Sequence, residues 1–314
     1  MSDRNGELAQ LEAEVRRTRR RQRLLLYVSA AVLLAMAAAA VFAPLVSPHD
    51  PLRQNIFLRL RPPFWMEGGS AEHLLGTDAL GRDLLSRILY GARTSLTVGV
   101  LSVLLGGAVG VLLGLLAGYK QGAVDLLLGR LADIQQTLPF IVLILALVAV
   151  LGPSKANLIL VVGLGSWVYY YRIVRGEVAA VRERPYIEAA RALGGSTWHV
   201  LLRHVLPNVL PSVIVTMTLY VPQVILYEAA LSFLGLGVPP PEPTWGGIIA
   251  EGRDYVEIAW WITVFPGLAL VITVLCLNTL GESLRDFLDP LQSYAAPASL
   301  FRPRAAAARR RRPE

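Results

Sequence analysis

Long apolar runs separated by polar segments organise the whole chain. A membrane-spanning helix needs about 20 mostly apolar residues, because the hydrocarbon core is roughly 30 Å thick and an α-helix rises about 1.5 Å per residue. The pattern therefore predicts an all-α polytopic membrane protein with six transmembrane helices. The six predicted spans are residues 24–45, 95–118, 138–151, 156–174, 209–231 and 258–280.

Two of these runs depart from an ordinary span. The run 138–151 has only 14 residues, so it needs either the preceding residues 134–137 or a tilted, partly shielded helix to cross the bilayer. The first run could instead be a signal peptide, since arginines precede it. Its 22 residues exceed the apolar core of about 7–15 in signal peptides, which favours an uncleaved anchor.

The composition is typical of a membrane protein, and the cysteine count excludes an internal disulfide. Hydrophobic residues make up 54% of the 314 and charged residues only 17%, against about 25% charged in average globular domains. A water-soluble domain is therefore excluded. The single cysteine, Cys276, cannot form an internal disulfide and is expected to pack as a small hydrophobe.

The basic residues predict the orientation. With six spans both ends lie on one side of the membrane, and 22 of the 30 Lys and Arg residues fall on the side that holds the termini. The positive-inside bias therefore places both termini in the cytoplasm. Nucleic-acid binding by the basic tails is the rival interpretation, but no aromatic residues interleave with these arginines, and we expect contact with anionic membrane lipid instead.

Five segments follow from the spans. Residues 1–23 are expected to form a cytoplasmic basic helix, 24–45 the first transmembrane helix, and 46–94 an extracytoplasmic segment. Residues 95–281 contain the other five spans, and 282–314 form a cytoplasmic tail that is expected to be partly disordered because it lacks apolar periodicity.

Small residues and prolines inside the spans predict how the helices pack. Gly106, Gly110, Gly114 and Gly118 recur every four residues, so they share one helix face, where a neighbouring helix can approach closely. A structural contact is favoured there over a ligand site. Pro222 and Pro266 remove backbone donors and are expected to kink or interrupt their helices.

Glu228 is the one carboxylate well inside a predicted span. Acidic groups are costly in a membrane and are therefore candidates for function. Two roles stay open for Glu228: a contact with substrate along a transport path, and a structural hydrogen bond to a neighbouring helix.

The polar segment 175–208 lies between the fourth and fifth predicted spans, on the predicted cytoplasmic side. Pro185 suits a first helical position, Gly194 a helix C-terminus, and Ser196 the cap of a second helix that runs to Leu206 before Pro207. We therefore predict a helix–turn–helix here. At 34 residues the segment is long for a simple connector.

Residues 175–208 resemble the EAA signature of ABC importer permeases, the loop that docks on the ATPase subunit, and we call them the coupling loop. The matching residues are Glu188, Ala189 and Ala190, then Gly194, and then Leu206 with Pro207. His204 departs from the signature, where an aliphatic residue is usual. Residues 73–96, 231–247 and 260–290 resemble further segments of C-type permeases for dipeptides, oligopeptides and nickel, so the resemblance covers roughly residues 24–292.

The resemblance implies the fold, partners and activity of such a subunit. The fold would be that of a type I ABC importer permease with cytoplasmic coupling helices, in the bacterial inner membrane. A related permease, two ATPase subunits and an extracytoplasmic binding protein would complete a peptide importer. The residues implied in ATPase coupling are Glu188, Ala189, Ala190, Arg191, Gly194, Leu206 and Pro207.

No catalytic or metal site is expected in the chain itself. A phosphate-binding loop needs Gly-Lys followed by Ser or Thr, and neither Lys120 nor Lys155 follows a glycine, so ATP and magnesium would bind the partner ATPases. The histidines show no ligand spacing, and His49 stands alone in sequence. Importers of nickel, glutathione or another small solute remain alternatives, as does, from another class, a stand-alone secondary carrier.

Overall fold

The structure, a computed structural model, describes residue 20 and residues 24–288. Its regular elements are helical, with one isolated β-bridge between Thr77 and Asp83 in the described part. The expectations for the basic N-terminal helix and for the disordered end of the tail fall outside the described residues. The helices of eight residues or more are α1 Leu24–Val41, α2 Leu84–Lys120, α3 Gly122–Gln136, α4 Phe140–Leu151, α5 Lys155–Gly165, α6 Trp167–Arg182, α7 Pro185–Ala192, α8 Thr197–Phe233, α9 Trp245–Gly252 and α10 Trp261–Leu288. Shorter helical turns are Ala43–Val46, Ile56–Leu58 and Arg253–Tyr255.

The apolar helices confirm the predicted all-α polytopic fold. Five of them are long and apolar enough to cross a membrane: α1, α2, α5 joined to α6, α8 and α10. The pair α3 and α4 passes the same test only when it is taken together, and it is bent by 87°. The described residues thus contain six apolar segments, as predicted, if this bent pair forms one span.

The bent pair corrects the prediction for the third span. Residues 134–137 do not lengthen it as a straight helix, because α3 ends at Gln136 and α4 begins at Phe140. Pro139 lies between them as the N-cap of α4. Proline lacks an N–H group and disfavours helical backbone in the residue before it, so the break falls here.

Other helix boundaries also differ from the prediction: α1 ends at Val41 instead of residue 45, and the fourth span continues to Arg182 instead of residue 174. Helix α2 begins at Leu84 instead of Ser95, because the side chain of Asp83 accepts a hydrogen bond from the Ser86 N–H and caps the helix. The last helix continues to Leu288, seven residues past the predicted boundary at 281. Part of the predicted extracytoplasmic segment and part of the predicted tail are therefore helical.

The prolines inside the spans do not interrupt them. Pro222 lies within the continuous helix α8, and Pro266 lies within α10. The expected interruption at these positions is therefore wrong, and the alternative, a kink within a continuous helix, stays a prediction. Pro266 lies only five residues after the start of α10, where few carbonyl groups precede it in the helix.

Helix α2 lies at the centre of the fold and contacts α5, α6, α8 and α10. Its glycines provide the close approach that the sequence predicted. A Cβ atom added at Gly114 would lie 2.8 Å from the Cβ of Val174, and one at Gly118 would lie 2.7 Å from the Arg175 carbonyl oxygen. The backbones of α2 and α6 therefore pack with no room for a side chain between them.

We expect Gly110→Ala to destabilise the protein by about 1–3 kcal/mol, the usual cost of an overpacked core. The added Cβ would lie 2.7 Å from the Cβ of Tyr170 and would overlap the carbonyl oxygen of Trp167, which cannot rotate away. Thermal unfolding of the detergent-solubilised protein measures the loss. Gly176→Ala is the matched control on α6, because nothing lies within 4 Å of its added Cβ. Equal midpoints for the two variants would contradict close packing at the glycine face.

Candidate functional site

The coupling loop forms the predicted helix–turn–helix. Pro185 occupies the first turn of α7, which ends at Ala192, and Gly194 follows with φ +85°. The Gly195 N–H donates to the Ala190 carbonyl at 3.1 Å, which closes the turn. Ser196 then caps α8 by accepting a hydrogen bond from the His199 N–H at 3.3 Å. Local residue chemistry thus sets each step of the motif.

The second helix does not end before Pro207, as the sequence predicted, but continues into the membrane span. Residues Leu201–Val205 form a π-helical turn, in which the Leu206 N–H bonds to the Leu201 carbonyl. The next residue, Pro207, enters the helix directly afterwards. A wider turn at this point changes the hydrogen-bonding register just before the residue that has no N–H, so α8 joins the coupling loop to the span without a break.

Apolar residues attach the coupling loop firmly to the helices above it. Ile187 from α7 is fully buried, as are Val200, Leu201 and Val205 from α8. They belong to one cluster with residues of α2, α6 and α8, namely Leu115, Val174, Val178, Val181, Val209 and Val213. A force on the loop would therefore be transmitted to three long helices, because packed cores move as units.

The predicted coupling residues divide into an exposed group and a packed group. Glu188, Ala189 and Pro207 are exposed, whereas Ala190 and Leu206 are half-buried. The loop surface therefore presents part of the motif to solvent, and the other part joins the loop to the bundle.

Arg191 connects α7 to the end of α2. Its Nε donates to the Tyr119 hydroxyl at 3.0 Å, and its guanidinium lies 4.7 Å from the centre of the Tyr119 ring. Tyr119 belongs to the last turn of α2. Arg191 thereby ties α7 to α2 through a hydrogen bond and a cation–π contact.

Sequence reasoning missed Leu193 and Trp198, which flank the turn. The two residues are 89% and 54% exposed. Leu193 follows the last residue of α7 and precedes Gly194, so an apolar residue directly before a helix-stop glycine was the available signal. Together with the exposed motif residues they form an apolar tip of the kind that marks a protein interface.

A groove runs along α6 and α8. Two adjoining cavities of about 670 and 690 Å³ share Tyr169 and Leu219 in their walls. At the coupling-loop end the wall includes Glu177, Arg184 and Arg285. The other end is lined by Gln135, Gln136, Leu138, Pro139, Phe140, Gly165, Ser166, Val168, Tyr169, Leu219, Tyr220, Gln223 and Tyr227. We call the whole feature the α6–α8 groove.

Aromatic rings and amides shape the second cavity of this groove. The rings of Tyr169 and Tyr220 stack with their centroids 4.7 Å apart, and Tyr227 contacts Phe140 at 5.1 Å. Gln223 and Tyr227 follow Tyr220 by three and seven residues, so the three side chains share one face of α8. This helical spacing is the signal in the sequence that indicates a polar and aromatic face.

Glu228, the predicted path candidate, lies outside these cavities. It is fully buried and accepts hydrogen bonds from the Ser95 hydroxyl at 3.0 Å and the Ser232 hydroxyl at 2.7 Å. Ser95 in turn accepts from the Trp245 N–H at 3.3 Å. Of the two roles that the sequence left open, this geometry favours the structural hydrogen bond, which joins α8, α2 and α9.

The histidines correct one sequence interpretation. His49 is not alone, because its ring centroid lies 4.7 Å from that of His73. One nitrogen of each ring and an oxygen of Asp83 all lie within 4.8 Å of one another. The intervening segment, residues 50–72, folds back along the surface, so residues far apart in sequence meet at the start of α2.

The chain is similar to families and proteins of known type. The family described as "Binding-protein-dependent transport system inner membrane component" matches residues 110–294. The family described as "N-terminal TM domain of oligopeptide transport permease C" matches residues 14–63.

Curated relatives align over most of the chain. The di/tripeptide transport system permease protein DppC of Pseudomonas aeruginosa (strain UCBPP-PA14) is 46% identical over 84% of this chain and 87% of its own length. The dipeptide transport system permease protein DppC of Escherichia coli K12 is 47% identical over 80% and 84%. The probable D,D-dipeptide transport system permease protein DdpC of the same strain is 40% identical over 83% and 86%.

Among solved structures, a chain of the MetNI methionine ABC transporter in an inward-facing conformation is similar in fold. The TM-score is 0.52 at 22% identity, and the alignment covers 66% of this chain and 96% of that one. This likeness supports the fold.

Proposed function

The chain belongs to the family of binding-protein-dependent transport system inner membrane components, and from this membership we propose that it is the permease subunit of an ATP-driven importer of di- and oligopeptides. It is a multi-pass inner membrane protein and a transport subunit, with ATP hydrolysis in separate subunits. The observation that carries the cargo proposal is the 46–47% identity to dipeptide and di/tripeptide permeases over at least four fifths of the chain.

The chemistry of the α6–α8 groove supports peptides as the cargo. The cavity between Gln135 and Tyr227 is lined by uncharged amide, phenol and apolar groups. Amides and phenols both donate and accept hydrogen bonds, so they suit a peptide backbone. Because no fixed charge dominates that wall, peptides with different side chains could pass it. Within the described residues this wall has no histidine or cysteine that would favour a metal cargo.

We infer that the coupling loop docks on a partner ATPase. Leu193 and Trp198 present apolar surface beside the exposed Glu188, and the buried side of the loop is packed against α2 and α6. Closure of two ATPase subunits on ATP and magnesium would pull the loop, and the packed cluster would carry that motion to the groove as a rigid body.

The remaining partners follow from the open surfaces. A related permease would supply the opposite wall of the α6–α8 groove, which is open along one side. A substrate-binding protein would dock on residues 46–94 and 232–257, at the end of α2 away from the coupling loop. In this proposal both termini lie in the cytoplasm, which the distribution of arginine supports, and the apolar helices face the lipid of the bacterial inner membrane.

Uptake of labelled di-, tri- and pentapeptides tests the proposal. Uptake is compared between a strain that lacks this gene and the same strain with the gene restored, both in ATP-replete cells. We expect restoration to recover uptake of at least one size class. Uptake should persist when the membrane potential is collapsed, because ATP supplies the energy.

Three outcomes separate the alternatives. Potential-independent uptake of one size class supports a peptide importer and defines the cargo length. Restored uptake that disappears with the membrane potential would contradict the ATP-driven mechanism and favour a secondary carrier. No peptide phenotype would overturn the peptide cargo and direct the assay to nickel, glutathione or another small solute.

A further inference from the structure

Two histidines meet one buried aspartate at the end of α2 away from the coupling loop. Asp83 is 2% exposed, and its Oδ2 accepts hydrogen bonds from the Ser86 N–H at 2.8 Å and hydroxyl at 2.6 Å. Its other oxygen, Oδ1, lies 2.8 Å from His73 Nδ1 and 3.7 Å from His49 Nδ1. One oxygen of the helix cap is thus fixed, and the other faces both imidazoles.

This carboxylate is hydrogen-bonded to His73 and Ser86, but it has no lysine or arginine partner among residues 24–288. Within residues 24–288, only histidines lie within ion-pair distance of Asp83. The Nδ1 atom of His49 is also buried, and no hydrogen-bond partner for it exists in that part of the chain. Buried carboxylates are paired or bind metal ions, and buried polar atoms are nearly always bonded. The unpartnered Nδ1 atom of His49, beside a carboxylate that only histidines approach, favours a cation site among the three side chains.

The surrounding cavity has the charge and size for a metal ion. Its volume is about 300 Å³, and its wall includes Asp50 and Glu72 in addition to Asp83 and the histidines. Arg53 is the only Lys or Arg in that wall. Three carboxylates against one guanidinium attract cations. The cavity also admits water, which could complete the coordination of an ion held by three protein ligands.

We propose that His49, His73 and Asp83 bind a divalent transition-metal ion of the zinc class. Two imidazole nitrogens and one carboxylate oxygen are ligands that zinc prefers, whereas calcium and magnesium prefer oxygen ligands alone. Ligands of a tetrahedral zinc ion lie roughly 3.3 Å apart, and the three candidate atoms lie within 4.8 Å of one another. His49 is the ligand that would have to move closer, since its Nδ1 lies 3.7 Å from Asp83 Oδ1, and its side chain is 33% exposed.

The bound ion would join three separate parts of the chain. His49 follows α1, His73 lies in the irregular segment that leads to α2, and Asp83 caps α2. Metal coordination therefore fastens the whole segment 49–83 to the central helix. The role is structural and independent of the transported cargo, so failure of this proposal would leave the proposed function unaffected.

Zinc binding to the full-length protein in detergent, after removal of metal by a chelator, tests the site. We expect one Zn²⁺ per chain by competition with a chromogenic chelator, no displacement by excess Mg²⁺, and a higher thermal midpoint with Zn²⁺. His49→Gln should weaken zinc binding at least about tenfold and remove the rise in midpoint. Its ring makes no hydrogen bond in the described chain, so the variant is expected to fold normally without metal.

His204→Gln is the matched control, because it removes a histidine from α8 at the opposite end of α2. We expect unchanged zinc affinity in this variant. Cobalt substitution adds a spectroscopic test: visible absorption bands of a tetrahedral site should be present in the unmodified protein and lost in His49→Gln. If zinc fails to bind, or binds equally well to His49→Gln, the histidines only support the helix cap and the proposal is overturned.

Discussion

Replacing Gly194 with valine is expected to abolish uptake while the chain remains inserted and paired with its partner permease. Gly194 has φ +85°, and a β-branched residue is strongly disfavoured there. Nothing lies within 4 Å of an added Cβ, so the backbone conformation, and not a steric clash, is what valine would change. A different turn would re-aim α7 against α8. Copurification of the ATPase subunit and peptide uptake measure the loss, which we expect to exceed about tenfold.

Gly194→Asn is the matched control for this prediction. Asparagine tolerates the left-handed conformation and occupies a volume similar to that of valine. We therefore expect this variant to retain most of the uptake and ATPase binding. If both variants transport normally, the turn has no coupling role. If both fail equally, side-chain bulk on the docking surface, and not the turn geometry, is responsible.

The membrane fold was accessible from sequence because its main determinants are local. Apolar length identifies spans directly, and the four-residue repeat from Gly106 to Gly118 indicates a close helix contact without knowledge of the partner helix. The same holds for the coupling loop, where Pro185, Gly194 and Ser196 each affect the backbone only near themselves.

Helix boundaries were harder to predict where polar residues enter a helix. The start of α2 contains Arg87, which suggests a solvent-exposed segment, yet it is 2% exposed. Its partner Glu251 is 164 residues away in sequence, so no local pattern reveals the pairing. The end of the second helix of the coupling loop was wrongly predicted at Pro207 for the opposite reason: the preceding π-helical turn accommodates a local helix breaker.

The groove and the histidine cluster could not be predicted from the sequence, because they form through contacts between residues that are far apart in the chain. Tyr169 and Tyr220 stack between two different helices, and His49 meets His73 only because the intervening segment folds back. A single sequence contains the residues of such sites but not their juxtaposition. The three-dimensional structure is therefore needed to identify which side chains contact each other across helices.

Replacing Arg87 with methionine is expected to destabilise the protein by about 3–5 kcal/mol, the usual cost of breaking a buried ion pair. Arg87 Nη1 donates to Asp78 and Glu251, each at 2.6 Å, and Nη2 donates to Glu251 at 3.1 Å. Without Arg87, Arg82 alone would face both carboxylates. Thermal unfolding should shift down by roughly 6–20 °C, and the contact between α2 and α9 should loosen first.

A second substitution distinguishes ion pairing from simple packing at Arg87. In the double variant Arg87→Met with Glu251→Gln, the pair of Arg82 and Asp78 remains balanced, at 2.6 Å. We therefore expect the double variant to be more stable than Arg87→Met alone by about 1–3 kcal/mol. Arg253→Met is the control for an exposed pair and should cost at most about 1 kcal/mol. If removing Glu251 as well lowers stability further, Arg87 acts mainly through packing, and the network at the start of α2 does not depend on charge balance.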